Sequence, residues 1–241
     1  RTQGGYAMKA PIILAVDTAD FDTALALMEN TKDSVSVYKL GLEFYLNFGS
    51  AGVSRIIEET GAEIFLDLKL HDIPHTVAGA AKAIAYLSPK FLTVHASGGR
   101  EMVKAAAAAV PQVSVTAVTI LTSLSEEDLF EVGFASPALE SAVALAKMAV
   151  SAGAKSLVCS PLETAAIRSA VGTDPIIITP GVRPLTEVGS DDQKRTMTPA
   201  DAIAQGANYV VIGRPITSAW SHGPQALRDK AAAIASEILS N

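Results

Sequence analysis

The 241-residue sequence has one cysteine, Cys159, and few aromatic side chains, which make up 5% of the chain. A single cysteine excludes a disulfide bond within the chain, and this usage is typical of a reducing compartment. We therefore expect a cytoplasmic protein. No run approaches the roughly 18 consecutive apolar residues that a transmembrane helix needs, so we expect no membrane span.

The sequence also lacks an excess of basic residues. Its 19 Lys and Arg are outnumbered by 25 Asp and Glu, which gives a net charge of −6. This balance argues against nucleic acid or an anionic membrane as the main partner, although a few local cations can still bind a small anion. Residues 1–7 (RTQGGYA) have no apolar segment typical of a signal peptide. We interpret them as an N-terminal tail or an artificial addition, with Met8 as the native start.

Apolar runs alternate along the chain with alanine-rich amphipathic segments. The runs predict strands at 12–16, 36–40, 64–69, 91–95, 114–119, 156–159, 176–179 and 209–212. The segments predict helices near 21–30, 50–60, 76–86, 100–110, 137–152, 162–171, 199–205 and 225–239. Such alternation indicates a parallel sheet. Eight repeats favour a single-domain α/β protein over residues 8–241, a closed (β/α)8 TIM barrel, with an open doubly wound sheet as the alternative.

The stretch 63–76 (EIFLDLKLHDIPHT) begins as a buried strand and then carries charges that such a strand does not need. Asp67 and Lys69 are two residues apart, so a strand places them on one face. Opposite charges on a buried face cost desolvation energy unless they are paired or used. Asp72 follows closely with a third charge. This pattern favours a built site, and a structural ion pair between Asp67 and Lys69 is the alternative.

Polar residues gather where the predicted strands end, which is where barrel enzymes place their active sites. They are Asp17, Lys39, Asp67, Lys69, Asp72, His95, Ser97, Thr119, Thr122, Ser123, Arg183 and Arg214. Ordinary interpretations exist for some of them: Asp17 can cap the first helix, and Lys39 can extend its amine to solvent. His71, His75 and His95 lack the spacing of metal ligands, so we expect no metal.

The last two predicted strands end in turns that contain glycine and arginine. Barrels often bind phosphate with the loops after strands seven and eight. Gly181 and Gly213 allow backbone N–H groups to approach a phosphate, and Arg214 supplies a charged fork. Ordinary turns with surface arginines are the alternative. The polar stretch 182–198, after strand seven, is predicted to be a lid or a binding loop.

Seven segments, in this order, resemble the orotidine 5′-monophosphate decarboxylase family of bacterial type. They are LAVD (14–17), YKLG (38–41), DLKLHDIP (67–74), VHASGG (94–99), LTS (121–123), PGVRP (180–184) and GRPI (213–216). The resemblance covers nearly the whole chain after Met8, and the order and spacing are more specific than any one segment. His75 departs from the pattern, because bacterial members often have asparagine there. That departure affects no catalytic residue.

The resemblance implies a homodimeric barrel that converts orotidine 5′-monophosphate into uridine 5′-monophosphate and carbon dioxide in pyrimidine synthesis. It implies no metal and no organic cofactor. It also implies a catalytic array of Lys39, Asp67, Lys69 and Asp72. In this array Lys69 protonates a carbanion at C6 of the pyrimidine, and Asp72 is donated by the partner subunit.

The resemblance further implies a set of substrate-binding residues. They are Asp17 and Lys39 at the ribose hydroxyls; Asp72 and Thr76 at the ribose from across the dimer; Thr122 or Ser123 at the pyrimidine; Arg183, Gln193, Gly213 and Arg214 at the phosphate; and Asp67 and Ile73 beside the substrate.

Two other functions remain open. Related barrels that act on ketogulonate or hexulose phosphates share an Asp-x-Lys-x-x-Asp motif but use magnesium, with an acidic residue at the end of strand two. Lys39 occupies that position here, and a lysine repels a metal ion. The second alternative is a phosphate-ligand binding protein without catalysis, since a fold does not determine function. It leaves the four charged residues of the array unexplained.

Overall fold

A computed structural model describes residues 8–182 and 197–241. Eight parallel strands pair in chain order, and the last pairs with the first to close a barrel. The strands are β1 Ala10–Ala15, β2 Val35–Leu40, β3 Ile64–Leu70, β4 Phe91–His95, β5 Ser114–Val118, β6 Ser156–Val158, β7 Ile176–Thr179 and β8 Tyr209–Ile212. The predicted closed barrel is confirmed, and the open sheet is wrong.

Helices connect the strands on the outside of the barrel. They are α1 Phe21–Glu29, α2 Leu42–Thr60, α3 Pro74–Ile84, α4 Arg100–Ala109, α5 Glu126–Glu131, α6 Ala138–Ser151, α7 Thr164–Val171, α8 Pro199–Ala204, α9 Arg214–Thr217 and α10 Pro224–Leu239. None of the helices in the described part of the chain is both long and apolar enough to cross a membrane.

Three helical segments differ from the sequence prediction. The second helix begins at Leu42 rather than near residue 50, and Gly49 interrupts it with a φ of 65°. Glycine adopts this left-handed conformation without steric cost, so the helix changes direction there and continues. The short helices α5 and α9 were not predicted. Segments of six and four residues are too short to show a helical period of apolar residues.

The core has two layers, and the alternation of side chains along each strand separates them. Inside the barrel a cluster of five buried side chains forms the floor: Ile13, Val37, Phe65, Phe91 and Ile178. Outside it, the opposite faces of the strands pack against the helices. On β4, Leu92 and Val94 point to the helices, so Thr93 and His95 share the inward face with Phe91.

The pairing of β3 with β4 slips where the charged residues begin. Phe65 pairs with Phe91 and Leu66 with Leu92, but the register shifts before Leu70 meets Val94. Lys69 lies inside this irregularity with a φ of 46°, a left-handed conformation that side chains other than glycine rarely adopt. Such a conformation costs about 1 kcal/mol or more and is concentrated at functional sites.

Candidate active site

Asp67 is the centre of a charged cluster at the carboxyl ends of the strands. Its side chain is only 7% exposed and accepts hydrogen bonds from Lys69 Nζ at 2.9 Å to Oδ1 and 2.8 Å to Oδ2. Lys39 Nζ, on the neighbouring strand β2, lies 3.5 Å from Oδ2. The sequence prediction that Asp67 and Lys69 share a face, with Lys39 beside them, is therefore confirmed.

The environment of Asp67 keeps it negatively charged. Burial raises the pKa of this carboxyl, but the charges of Lys69 and Lys39 and the hydrogen bonds from Lys69 and Thr93 outweigh burial. The net result is a pKa below the ordinary value. A buried carboxylate that stays ionised between two lysines is a preorganised arrangement of charges, in place before any ligand binds.

The cluster lies at the edge of a cavity of about 180 Å³. Lys39, Asp67, Lys69 and Thr122 contribute its polar groups, and its apolar walls come from Phe65, Val118, Ile120, Leu121, Val158, Pro180 and Val211. These walls derive from strands β3, β5, β6 and β8 and from the segments after β5 and β7. An apolar slot with a few charged groups at one edge suits a flat heterocycle that carries a reacting anionic substituent.

Two histidine rings pack beside the cluster. The ring centroids of His71 and His95 are 5.2 Å apart, with a tilt of 44° between the planes. Burial lowers the pKa of His95, and the neighbouring charges of His71 and Lys69 lower it further. His95 is therefore neutral at pH 7 and forms part of the packing around Lys69.

Asp72, Ile73 and Thr76 lie on an exposed segment. All six residues from His71 to Thr76 are exposed, and Ile73 keeps 64% of its surface accessible. Oδ1 of Asp72 accepts a hydrogen bond of 2.7 Å from the backbone N–H of Ile73. Within the described residues of this single chain, Asp72 forms no ion pair.

The other predicted binding residues fall into four groups. Asp17 is exposed at the end of β1, and the helix-capping alternative for it is wrong, because Asp20 caps α1 by accepting from Thr23 N. Gly213 and the exposed Arg214 form the turn into α9. Thr122 lines the cavity, whereas Ser123 is absent from the described residues that do so. Arg183, Gln193 and most of the predicted loop 182–198 lie outside the described residues.

Sequence reasoning missed Thr93. Its side chain is fully buried on β4, and its hydroxyl donates to Asp67 Oδ1 at 2.8 Å. The available signal was a polar residue in an otherwise apolar strand, two positions before His95 and so on the same face. Buried hydroxyls commonly bond to the nearby backbone, so a threonine in an apolar strand does not by itself indicate a functional residue.

The described residues contain no group of three or more His, Cys, Asp or Glu side chains arranged to hold a metal ion. At the end of β2, where the magnesium-dependent barrels carry an acidic residue, Lys39 points its amine at Asp67 instead. The one cysteine is buried and directly follows β6.

A closed (β/α)8 barrel with a charged cluster and an apolar slot at the carboxyl ends of its strands defines a barrel enzyme for a small anionic substrate. Comparison with known proteins gives the family. The model of the Orotidine 5'-phosphate decarboxylase / HUMPS family matches residues 10–228, and the chain belongs to this family.

Individual relatives agree with this assignment. An orotidine 5'-phosphate decarboxylase of Thermobifida fusca is 49% identical over 231 residues, which cover 96% of this chain and 97% of the relative. One from Wolbachia pipientis is 47% identical over 209 residues, covering 86% and 91%. The crystal structure of orotidine 5'-phosphate decarboxylase from Lactobacillus acidophilus superimposes with a TM-score of 0.81 at 34% identity, covering 95% of this chain and 99% of that one.

Proposed function

We propose that the chain decarboxylates orotidine 5′-monophosphate to uridine 5′-monophosphate in pyrimidine synthesis, with Lys69 as the proton donor. Family membership over residues 10–228 supports the reaction. The observation that carries the mechanism is the contact of Lys69 Nζ with a buried, ionised Asp67 at the edge of an apolar slot. The slot receives the pyrimidine, and the charged edge receives its carboxylate.

The reaction breaks the bond between C6 of the pyrimidine and its carboxylate carbon, and the electron pair stays on C6. A site of this kind accelerates the reaction when it stabilises the carbanion better than the bound carboxylate. Asp67 repels the substrate carboxylate by about 4 kcal/mol at 4 Å and an effective dielectric of about 20. Departure of neutral carbon dioxide relieves that repulsion. Lys69 then donates its proton to C6.

Lys39 has a different role in the proposed reaction from that of Lys69. Its amine is 3.5 Å from Asp67 Oδ2, farther than that of Lys69, and its side chain is 18% exposed. It balances the charge of Asp67 and orients the carboxylate from the β2 side. We assign it also to a ribose hydroxyl together with Asp17, which follows β1. The carboxylate of Asp17 lies close to Gly41, two residues after Lys39, because a Cβ built on Gly41 would be 3.7 Å from Asp17 Oδ1.

The dimer is part of the proposal. One chain supplies two lysines and one carboxylate to the cluster, whereas its own Asp72 lies on the exposed segment 71–76 without an ion pair among the described residues. If the partner subunit's Asp72 reaches the cluster, the cluster contains two positive and two negative side chains. The exposed Ile73 then becomes buried between subunits, and Thr76 reaches the ribose with Asp72.

For the phosphate we propose the turn from β8 into α9. Gly213 supplies a backbone N–H and Arg214 a charged fork, and both follow a strand whose Val211 lines the cavity. Arg183 and Gln193 complete this assignment as proposals from the sequence, as do Thr122 and Ser123 at the pyrimidine. We place the enzyme in the cytoplasm, where a lone buried thiol such as Cys159 stays reduced.

The direct test is turnover of orotidine 5′-monophosphate, followed by the loss of its ultraviolet absorbance with and without a chelator. We expect turnover at the same rate in both conditions. Absence of turnover would contradict the proposal. Turnover that the chelator abolishes would favour the magnesium-dependent barrels that act on sugar phosphates.

A further inference from the structure

Thr93 joins the backbone of Lys69 to the carboxylate of Asp67 through a single hydroxyl group. The backbone N–H of Lys69 donates to Thr93 Oγ1 at 2.9 Å, and the same hydroxyl donates to Asp67 Oδ1 at 2.8 Å. Its one proton therefore points to the carboxylate while a lone pair receives the N–H. Thr93 has no accessible surface, so water does not compete for either bond.

The bond to Lys69 lies where the barrel departs from regular pairing. The register between β3 and β4 shifts between Leu66 and Leu70, and Lys69 has a φ of 46°. A left-handed lysine in a strand persists only when its surroundings hold it there. The hydroxyl of Thr93 does so by receiving the Lys69 N–H across the irregular step.

The bond to Asp67 adds a fixed donor at Oδ1 to the contacts that the carboxylate makes with the two lysines. Lys69 Nζ donates to both oxygens, at 2.9 Å to Oδ1 and 2.8 Å to Oδ2, and Lys39 Nζ lies 3.5 Å from Oδ2. A hydrogen bond from one fixed side prevents the carboxylate from rotating about its Cβ–Cγ bond. The position of its charge relative to Lys69 is then set before substrate binds.

We infer that Thr93 is a positioning residue of the decarboxylation reaction: it holds the Lys69 backbone and the Asp67 carboxylate in their reactive arrangement. The inference rests on the proposed function, because it depends on the roles of Asp67 and Lys69. It goes beyond the four charged residues of the array, and no motif in the sequence singles Thr93 out.

The experiment compares Thr93→Val, which keeps the shape and removes the hydroxyl, with Thr93→Ser, which keeps the hydroxyl. Thr116→Val is the matched control. Thr116 pairs with Thr93 in the ladder between β4 and β5, is equally buried, and bonds to Ser156 and to the backbone oxygen of Ser114 away from the cluster.

We expect Thr93→Val to lower kcat about 10- to 100-fold with little change in KM, the effect of losing one hydrogen bond to a charged group. Thr93→Ser and Thr116→Val keep kcat within about threefold.

A second readout does not depend on turnover. The bond from Thr93 lowers the pKa of Asp67, so its loss raises that pKa in Thr93→Val and leaves it unchanged in Thr116→Val. A ¹³C titration of the labelled Asp67 carboxyl measures this shift. If Thr93→Val does not fold, Thr93→Ala is compared with Thr93→Ser in the same titration. An unmoved Asp67 pKa, or equal kcat in Thr93→Val and Thr116→Val, overturns the inference. Absence of wild-type turnover contradicts the proposed function instead, and the titration then decides on Thr93 alone.

Discussion

The strands β3 and β4 carry a lysine–carboxylate contact at each end, and the two contacts have equal lengths. At the amino ends, Lys90 Nζ lies 2.8 Å from Glu63 Oε2; at the carboxyl ends, Lys69 Nζ lies 2.8 Å from Asp67 Oδ2. The two contacts differ in the burial of their carboxylates: the side chain of Glu63 is 58% exposed and that of Asp67 only 7%. Distance alone therefore does not identify a reactive pair.

The surroundings make the second difference. Glu63 and Lys90 border an open depression of about 760 Å³, several times larger than the cavity at the other end of the barrel. The smaller cavity is the one with Asp67, two lysines and the buried hydroxyl of Thr93 within reach. In barrels the amino end supports stability and the carboxyl end carries chemistry. The same substitution should therefore lower activity strongly at the carboxyl end and leave it unchanged at the amino end.

The largest effect is expected from Lys69→Met. The substitution removes the proposed proton donor and one of the two lysine charges beside Asp67, so we expect kcat to fall about 10³-fold or more. Binding of uridine 5′-monophosphate, measured by calorimetry, should stay detectable. Turnover near the wild-type rate would exclude Lys69 as the proton donor.

A smaller effect is expected from Glu163→Gln, which extends the comparison to a buried carboxyl without an ion pair among the described residues. Burial raises the pKa of Glu163 to about 7; a bond from the Ser160 N–H partly opposes this, and Glu126 adds to it. The folded state holds the proton more tightly than the unfolded state, whose ordinary pKa is 4.5. The contribution of protonated Glu163 to the free energy of unfolding is therefore complete below pH 4.5. It is lost as the pH rises through about 7, and the loss is at most about 3 kcal/mol.

Glu163→Gln should remove this slope from the free energy of unfolding, measured by denaturant titration between pH 4.5 and 8. The exposed Glu127→Gln is the control, because its side chain is in water before and after folding. An unchanged slope in Glu163→Gln would show that another group titrates in this range.

The smallest effect is expected from Lys90→Met, the counterpart of Lys69→Met at the other end of the same strands. Exposed ion pairs contribute about 0–1 kcal/mol, so the free energy of unfolding should change by no more than about 1 kcal/mol. Lys90 Nζ also lies 6.0 Å from the ring centroid of Phe91 and 5.8 Å from that of Tyr209, and a methionine thioether replaces these cation–π contacts with favourable sulfur–aromatic ones. We expect kcat and KM to equal those of the wild type. A loss of activity comparable with that of Lys69→Met would remove the contrast between the two ends.

Much of the fold was predictable because the strands are predominantly apolar runs, and doubly buried strands have that pattern. Lys39, Asp67 and Lys69 were predictable as neighbours for a similar reason, since adjacent parallel strands end at one edge of the barrel. The register shift and the left-handed Lys69 were not, because they arise from the pairing of β3 with β4 and leave no local pattern. Thr93 escaped for the same reason: its importance lies in two bonds to another strand.

The central claim is that Asp67 and Lys69 of one subunit act with the partner subunit's Asp72, and mixing two inactive variants tests it most directly. In a hybrid of Lys69→Met and Asp72→Asn subunits, one site is intact and the other carries both defects. Random exchange gives half hybrid dimers, so activity should return to about a quarter of the wild-type value. Hybrid formation is verified independently by native mass spectrometry. No recovery in a mixture shown to contain hybrids would contradict a shared active site.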